Sequence, residues 1–309
     1  MELQNKKIVV TGGAGFLGSY VVEKLKESGA SRILVPYSSE YDLRDRKACE
    51  RALKDSDIVI HLAAQIGGIG FINERPGEIY YNNLIMGAEV MEAARKAGVK
   101  KFVSVGTVCE YPRVINLPFK EKDLWDGNPE ETTAPYGWAK KMLIVQGKAY
   151  RKQYGFNAIH LLPVNLYGPR DNFDPASAHV IPALIRKIIQ AKKDNKETVE
   201  VWGSGYATRE FLYVADAAEG IILALEKYNE TEPINLGTGI ETSIKKVTEL
   251  IMDIVRYKGS IKWNSSKPNG QPRRQLDMTK AKSLGFEAKV GLREGLKKTI
   301  KYYEENFKK

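Results

Sequence analysis

The sequence predicts an α/β fold, a doubly wound parallel sheet that is followed by a smaller α/β lobe. Short, continuously apolar runs alternate with stretches of helical period through residue 165, which is the rhythm of successive β-α-β units. The first apolar run leads straight into a glycine-rich turn. After residue 165 the runs become shorter and glycine turns separate the helices. We therefore expect residues 1–165 to form one domain, to which a segment near 211–238 returns, and residues 166–309 to form mainly a second lobe.

Composition and length indicate a globular protein. Hydrophobic residues make up 43% of the 309-residue chain and only 13 residues are proline, which is ordinary for a protein that buries a sizeable core. Nothing approaches roughly eighteen consecutive apolar residues, and the amino terminus runs into a strand-like segment rather than a signal sequence. We expect a soluble, cytoplasmic protein that does not enter a membrane.

Cysteine usage and charge argue against several other classes of site. The two cysteines, Cys49 and Cys109, are too few for a disulfide framework and lack the spacing of metal ligands, so we predict no metal site. The formal net charge is +10, but the basic residues are spread over predicted helix faces. This distribution is typical of a solvated surface suited to an anionic ligand rather than of a nucleic-acid-binding patch.

Residues 7–11 form the first predicted strand, and Gly12, Gly15 and Gly18 follow before a helix over residues 19–28. Glycines at this spacing allow a tight turn, let backbone N–H groups approach a pyrophosphate, and let the helix pack closely on the strand. The motif alone is weak evidence, but a strand before it and a helix after it are the context that supports it. The first domain is therefore predicted to be a dinucleotide-binding domain of Rossmann type.

The second predicted strand, residues 32–35, ends where the adenosine ribose of a dinucleotide is recognised. An acidic residue there favours NAD and an arginine favours the 2′-phosphate of NADP, but the sequence has Pro36-Tyr37-Ser38-Ser39. Asp42 and Leu43 lie a little further along and either flank the adenine or cap a helix over residues 44–54. The choice between the two cofactors stays open at this point.

The third strand, residues 57–64, is almost continuously apolar, as expected for a strand that is buried on both faces. It contains His61, which we interpret as a hydrogen-bonded core residue without a catalytic role. A glycine-rich loop over residues 65–70 follows and is suited to lie against a ligand. The next helix, predicted over residues 77–97, carries Asn82-Asn83 in its early turns.

The fourth strand, residues 101–106, is followed by Thr107 and Cys109. Ligands of open α/β sheets bind at the carboxyl ends of the strands, so both residues are expected where chemistry takes place. Strand alternation would put both side chains on the same side of the backbone. An acidic, proline-bearing loop over residues 118–134 leads to the next helix.

That helix is predicted to reach residue 154, with Pro135 in its first turn and with Tyr136 and Lys140 four residues apart on one face. A lysine ammonium about 4 Å from the phenol would lower the tyrosine pKa by about three units, to near neutrality. Such a phenol can donate a proton to a carbonyl oxygen that receives a hydride at its carbon, or remove a proton from an alcohol. The pair alone is weak evidence, because any helix can carry it by chance.

The remaining elements belong to the second lobe, apart from a fifth strand over residues 158–162 and the returning segment near 211–238. A loop over residues 171–179 precedes them. Helices are predicted over residues 181–193, 214–227, 243–257 and 292–306, and short strands over residues 199–202 and 210–213.

Three motifs in this order carry a resemblance to the extended short-chain dehydrogenase/reductase family: the glycines at 12, 15 and 18, the Thr107 strand end, and Tyr136-x-x-x-Lys140. Further segments resemble the GDP-L-fucose synthase branch of that family, whose members epimerise C3 and C5 of GDP-4-keto-6-deoxy-mannose and reduce C4. These segments are residues 61–69, 109–112, 165–169, 171–175, 177–182, 201–205 and 209–212. They span most of the chain and are far more specific than the fold motifs.

The resemblance implies that Thr107, Tyr136 and Lys140 form a hydride-transfer triad and that Cys109 and His179 are the base and acid of epimerisation. The chemistry agrees, since C3 and C5 both lie α to the keto group, where a thiolate and an imidazole can exchange protons. The thiol pKa would need only slight lowering, by Lys140 or by charged His179. The expected contacts with the sugar nucleotide are Asn165, Val180, Lys187, Trp202, Arg209 and Arg274. The expected contacts with the cofactor are Gly12, Gly15, Phe16, Leu17, Gly18, Ser38, Asp42, Leu43, Leu62, Ala63, Ala64, Asn83, Tyr136, Lys140, Pro163, Asn165, Leu166 and His179.

Two departures from that branch bear on the sugar and on the cofactor. Thr107-Val108 stands where the branch usually has two serines, and no arginine stands at Ala14 or Pro36 to bind the phosphate of NADP. The cofactor is therefore expected to be NADP or NAD, with the resemblance favouring NADP. The alternatives to an epimerase–reductase are an NAD-dependent epimerase without net reduction, similar to GDP-mannose 3,5-epimerase, and a non-catalytic NAD(P)-sensing regulator.

The resemblance also implies the partners of the chain. The substrate is expected to be a nucleotide-sugar, most simply a GDP-sugar, and neither nucleic acid nor a membrane is expected to bind. A homodimer is expected through a four-helix bundle of the helices predicted over residues 77–97 and 136–154.

Overall fold

The computed structural model describes residues 3–267 and 270–307. Its strands are β1 (Lys7–Thr11), β2 (Arg32–Leu34), β3 (Ile58–His61), β4 (Lys101–Val105), β5 (Ala158–Pro163), β6 (Asn165–Tyr167), β7 (Thr198–Trp202), β8 (Thr208–Arg209), β9 (Phe211–Tyr213), β10 (Ile234–Leu236), β11 (Thr242–Ser243) and β12 (Ser260–Asn264). Its α-helices are α1 (Phe16–Glu27), α2 (Arg46–Leu53), α3 (Ile69–Glu74), α4 (Pro76–Lys96), α5 (Ala134–Tyr154), α6 (Val180–Lys193), α7 (Val214–Lys227), α8 (Ile244–Val255), α9 (Thr279–Ser283) and α10 (Leu292–Asn306). Within these described ranges, no helix combines the length and the apolar character needed to cross a membrane.

Six strands form one parallel sheet in the order β10-β5-β4-β3-β1-β2. The chain starts at β1, places β2 on one side and builds the rest of the sheet on the other. A crevice therefore opens between the carboxyl ends of β1 and β3, where the direction of winding changes. In register, Val9 of β1 lies opposite Leu34 of β2 and Val59 of β3. This sheet confirms the predicted doubly wound fold.

Alternate residues of the central strands pack against helices on opposite faces of the sheet. Ile8 and Val10 belong to a core shared with α1 and α7, whereas Val9 belongs to a core shared with α2, α4 and α5. The strands β3 and β4 are buried along their whole length, which explains why their sequences are mostly apolar rather than alternating.

A second apolar core lies among the later elements and includes buried side chains from α6, α8, α10, β7 and β9. Small two-stranded ladders join β6 to β9, β7 to β12 and β8 to β11. The strand β10 pairs with β5 and so belongs to the main sheet. The division of the chain at residue 165 stays a prediction.

The helix α2 begins two residues later than predicted, and its cap is Asp45 rather than Asp42. The Asp45 carboxylate accepts the backbone N–H of Ala48 at 2.7 Å. The interpretation of Asp42 as an N-cap is therefore wrong, since the cap is Asp45 and Asp42 lies four residues before the first residue of the helix.

Candidate active site

One large cavity of about 1000 Å³ lies at the carboxyl edge of the main sheet. The loops after β1 and β4, the first turns of α5 and the start of α6 contribute to its wall. Its lining joins the two halves of the chain, since Trp202 and Arg274 border the same space as Gly12. Every site residue predicted from the sequence lines this cavity, except Asn83.

The glycines after β1 leave room for a phosphate group. Gly12 has a φ of +72°, a conformation that residues with a side chain rarely adopt. A Cβ on Gly18 would collide with the Gly12 carbonyl oxygen, so the first turn of α1 can approach the strand only with glycine there. The helix begins at Phe16, and its amino-terminal residues line the cavity. These residues fit the pyrophosphate of a dinucleotide cofactor.

The end of the cavity beyond β2 is lined by Ser38, Asp42 and Leu43, and also by Arg44. The guanidinium of Arg44 binds the Asp42 carboxylate, with Nε to Oδ1 at 2.9 Å and Nη2 to Oδ2 at 2.7 Å. Hydrogen bonds from Arg44 lower the pKa of Asp42 to about 2. Sequence reasoning missed Arg44, because a cation for the phosphate was expected directly after β2. The position of Arg44 close to Asp42 in the sequence is the feature that could have identified it.

Asn83, which the sequence predicted to contact the cofactor, does not line the cavity. Its buried side chain holds the glycine-rich loop, because Oδ1 accepts the Gln65 N–H at 2.9 Å and Nδ2 donates to the Gln65 carbonyl at 2.8 Å. The neighbouring Asn82 lines the cavity instead. Successive helical residues are turned by about 100°, so the two asparagines point in different directions. Asn83 therefore shapes the cavity without lining it.

Cys109 lies in a short 3₁₀ turn, Val108–Glu110, and Thr107 is the extended residue directly before this turn. The Thr107 Oγ1 caps this turn by accepting the Cys109 N–H at 3.2 Å. The Glu110 carboxylate accepts the Thr107 N–H at 2.8 Å and contacts the His160 ring at 3.1 Å. Strand alternation does not apply here, so that step of the prediction is wrong. The buried Glu110 instead fixes a turn that presents both side chains to the cavity.

The helix α5 presents Tyr136 and Lys140 to the same cavity. It starts at Ala134 with a proline in its first turn, as predicted. Gly137 lets the helix come close to the 3₁₀ turn, because a Cβ at this position would collide with the Cys109 carbonyl oxygen. The phenol and the thiol are therefore carried by two elements in close contact.

The prediction of a near-neutral tyrosine is wrong. Burial, together with Cys109 and Glu110, raises the pKa of Tyr136 well above its ordinary value. Lys140, whose Nζ lies 6.0 Å from the centre of the Tyr136 ring, does not outweigh this shift. Burial also lowers the pKa of Lys140 itself to about 8. The phenol therefore keeps its proton at neutral pH, which is the state required of a proton donor.

The Cys109 side chain is the candidate base of the cavity. Burial alone would raise the pKa of the thiol, but Arg274 and hydrogen bonds with Thr107 and Thr133 reverse this effect, so the pKa lies below its ordinary value. The Arg274 guanidinium donates from Nη1 to the Cys109 Sγ at 3.4 Å. The cation that lowers the thiol pKa is thus Arg274, and not Lys140 or His179 as the sequence suggested.

The His179 side chain is the candidate acid. This residue immediately precedes α6 and lines the cavity. Desolvation by the cavity walls lowers its pKa, so the imidazole is mostly neutral at neutral pH. His61, by contrast, is buried in the core with Nδ1 at 2.8 Å from the Thr11 hydroxyl, as predicted.

The opposite end of the cavity carries the residues predicted to bind a sugar nucleotide. Trp202 is 48% exposed, and Nζ of Lys267 lies 5.4 Å from the centre of its ring. Arg209 is buried, and this burial together with the neighbouring Arg274 lowers its pKa to about 9. An exposed aromatic face with cations nearby suits a nucleobase and its phosphates.

The chain matches a known family and full-length relatives. The model of the NAD dependent epimerase/dehydratase family matches residues 8–237. Putative GDP-L-fucose synthase 2 from Arabidopsis thaliana is 38% identical over 305 residues, which cover 98% of this chain and 93% of the plant protein. A GDP-L-fucose synthase from Sinorhizobium fredii is 39% identical over 306 residues, which cover 98% of this chain and 97% of the bacterial protein.

A solved structure supports the same relationship. The GDP-L-fucose synthetase from Naegleria fowleri, bound to NADP, superimposes with a TM-score of 0.89 at 30% identity. The superposition covers 98% of this chain and 94% of the amoebal chain. The similarity therefore extends over both halves of the cavity.

Proposed function

We propose that this chain, which belongs to the NAD dependent epimerase/dehydratase family, epimerises C3 and C5 of a GDP-4-keto-6-deoxy-hexose and then reduces C4 with NADPH. The observation that carries the proposal is the convergence of two sets of groups in one cavity. Thr107, Tyr136 and Lys140 are suited to reduction, whereas Cys109 and His179 are suited to proton exchange. The full-length similarity to proteins named GDP-L-fucose synthase supports the same activity.

In the epimerisation, the Cys109 thiolate removes a proton from the carbon next to the keto group. The C–H bond breaks, an S–H bond forms, and the electron pair of the C–H bond moves into an enolate. His179 returns a proton to the opposite face of that carbon and so inverts it. The Tyr136 phenol stays protonated because burial raises its pKa, and it donates a hydrogen bond to the enolate oxygen.

In the reduction, the hydride for C4 would come from NADPH held by the glycine turn after β1. Tyr136 donates its proton to O4, and the Thr107 hydroxyl donates a hydrogen bond to the same oxygen. Lys140 places a positive charge beside the resulting phenolate, which lowers the cost of separating the proton from the buried tyrosine.

The cofactor of this reaction is NADP(H). The glycine turn fits the pyrophosphate, and the structurally similar synthetase from Naegleria fowleri is bound to NADP. Arg44 supplies a cation at the adenosine end of the cavity. This arginine must exchange the Asp42 carboxylate for the 2′-phosphate, so we expect only modest discrimination against NAD.

The sugar nucleotide is assigned to the other end of the cavity, where Trp202 stacks on the guanine and the cations meet the diphosphate. Residues 1–165, with the returning segment 211–238, bind the dinucleotide in this assignment, and residues 166–309 mainly bind the sugar nucleotide. The residues assigned to the sugar nucleotide are Asn165, Val180, Lys187, Trp202, Arg209 and Arg274.

The names of the relatives favour this reaction over an epimerase without net reduction and over a non-catalytic regulator. We further propose a homodimer in which α4 and α5 form a four-helix bundle with their copies. The two helices pack side by side, and they expose apolar side chains such as Tyr81 and Val145. A cytoplasmic location suits a reaction that depends on a reduced thiol.

The test is incubation of the purified protein with GDP-4-keto-6-deoxy-mannose and NADPH in heavy water. We expect one NADPH to be oxidised for each sugar reduced, and NMR to detect deuterium at C3 and C5. Cys109→Ala should slow deuterium entry at least about a hundredfold, yet still reduce a keto sugar that already has the final configuration. Unchanged deuterium entry in this variant would leave a simple 4-reductase, and NADPH oxidation without deuterium entry in the wild type would remove the epimerase assignment.

A further inference from the structure

The contact between Arg274 and Cys109 is the feature of the cavity that the proposed reaction leaves unexplained. Nη1 of Arg274 lies 3.4 Å from Sγ of Cys109, and the arginine is only 7% exposed. A guanidinium stays charged at neutral pH even where burial lowers its pKa, so a buried one requires acceptors or a negative charge beside it. The question is which group provides that charge.

The hydrogen-bond partners of Arg274 contain no carboxylate within residues 3–267 and 270–307. Its side chain donates from Nε to the Gln271 amide oxygen at 2.9 Å and from Nη1 to the Cys109 sulfur. Arg209 lies close enough to interact unfavourably with Arg274. The sulfur is therefore the hydrogen-bonded group that can balance the charge of Arg274.

The guanidinium is held in place from both sides. Gln271 accepts from Arg274 and at the same time donates from Nε2 to the Arg113 carbonyl at 2.9 Å. Arg113 follows closely on the 3₁₀ turn that carries Cys109. The arginine is thus tied to the segment that bears the thiol, and it cannot turn away without breaking this bridge.

We propose that Arg274 holds Cys109 as a thiolate before any substrate binds and is the positioning residue of the epimerisation base. The inference rests on the proposed function for the role of Cys109 as a base, but the charge of the sulfur can be measured without substrate. When Cys109 takes a proton from carbon, an S–H bond forms and the negative charge passes to the enolate in the same cavity. The lowered pKa of the Cys109 thiol agrees with this arrangement.

Other titratable or charged groups surround the sulfur and define the controls. Tyr136 and Arg209 interact with Cys109 electrostatically, Glu110 belongs to the same turn, and Lys140 and His179 line the same cavity. Tyr136 keeps its proton, and burial lowers the pKa of both Lys140 and His179. In the part of the chain that the structure describes, Arg274 is the cation in hydrogen-bond contact with the sulfur.

The test measures alkylation of the substrate-free protein by iodoacetamide as a function of pH, with the modified residue identified by peptide mass spectrometry. Arg274→Gln should move the profile of Cys109 to higher pH and slow its alkylation at about pH 6.5 by roughly tenfold or more, and Arg274→Lys should restore part of the rate. Arg273→Gln is the matched control, because it removes the same charge from an exposed neighbour paired with Glu241. Cys49, which is buried and has its pKa raised to about 12, is the slow internal control.

Superimposed profiles for wild type and Arg274→Gln, or equal shifts in Arg273→Gln, would overturn the inference. If Arg274→Gln does not fold, a measurement on the wild type still tests the inference. The wild type should show the ultraviolet absorbance of a thiolate at a pH well below 8.5, which is about the ordinary pKa of a thiol, and Cys109→Ala should lack this absorbance. Absorbance that appears only above that pH would overturn the inference. If Arg274→Gln shifts the alkylation profile of Cys109 but the wild type incorporates no deuterium, the pairing of Arg274 with the Cys109 thiolate is retained. The proposed epimerase function is then contradicted.

Discussion

The substitution Tyr136→Phe tests whether the phenol is the proton donor of the reduction. It removes one oxygen and keeps the ring, which belongs to a small buried cluster with Ile72 and Ile79. Loss of a positioned acid should slow the C4 reduction by at least about a hundredfold, or roughly 2.7 kcal/mol of activation free energy. Because burial holds the pKa of Tyr136 well above its ordinary value, the wild-type donor should stay protonated between about pH 6 and 9.

The assay follows NADPH oxidation with a keto sugar that already has the final configuration, so that epimerisation does not limit the rate. NADPH binding, measured by fluorescence titration, should change little because the aromatic ring stays in place. Tyr228→Phe is the matched control, since it removes a hydroxyl outside the cavity that donates to the Glu232 carbonyl at 2.6 Å. This control should lower stability by about 1 kcal/mol and leave the reduction unchanged.

Turnover of Tyr136→Phe within about threefold of the wild type would refute the donor assignment. A loss confined to NADPH binding would refute it as well, because the hydroxyl would then act on the bound cofactor and not on the reacting sugar. A fall in rate near pH 8 that persists in the variant is expected from Lys140, whose pKa burial lowers to about 8. A fall in the wild-type rate near neutral pH that is absent from Tyr136→Phe would instead support a tyrosine whose pKa is near neutrality.

Cofactor choice, proton exchange and stability give three further tests. In steady-state kinetics, the wild type should prefer NADP over NAD by less than about a thousandfold in kcat/KM, and Arg44→Leu should lower this ratio about tenfold. Equal losses of kcat/KM for both cofactors would place Arg44 at the adenine instead. Deuterium entry at C3 and C5 should slow as pH rises, with a midpoint below the ordinary histidine pKa of about 6.5, because desolvation lowers the pKa of His179 and its acid form is lost first. His179→Asn should remove this alkaline limb. Asp171 has one buried carboxylate oxygen without a hydrogen-bond partner within the described ranges, and burial raises its pKa to about 7, above about 3.9 in the unfolded chain. The native state then binds more protons than the unfolded state, so the contribution of Asp171 to stability is full below about pH 4 and is lost as pH rises through 7. Over this pH range, the free energy of unfolding of the wild type should fall by at most about 4 kcal/mol relative to that of Asp171→Asn, as measured by urea unfolding. Parallel stability curves of the two proteins against pH would contradict this.

The dinucleotide half of the fold could be predicted because its signals are local. A strand buried on both faces must be apolar along its length, and β3 meets that condition within four residues. The close approach of α1 to β1 requires glycine at position 18, whatever the rest of the chain does. Both facts can be read from a short window of sequence, and both locate the end of the cavity that we propose binds the cofactor.

The errors have a different origin, because they concern relations that no short window contains. Asn82 and Asn83 are equivalent in composition, and only the rotation of α4 against the sheet decides which one reaches the cavity. Arg274 follows Cys109 by 165 residues and meets it only because the segment after β12 folds back against the 3₁₀ turn and the residues that follow it. The pKa of Tyr136 depends on how much water the finished cavity admits, which spacing along a helix does not report.

Burial has opposite consequences for the two groups of this cavity that we propose transfer protons. Desolvation raises the pKa of the Tyr136 phenol and so keeps the proposed donor of the reduction protonated, but the same desolvation would keep the Cys109 thiol protonated and unfit as a base. Lys140 is poorly suited to offset the desolvation of the thiol, because burial lowers the pKa of Lys140 itself to about 8. A guanidinium keeps its charge when buried, so Arg274 can offset the desolvation of the thiol where an ammonium would lose part of its charge. The need for arginine at this position, and the partial rescue expected from Arg274→Lys, therefore follow from the same exclusion of water that keeps the tyrosine protonated.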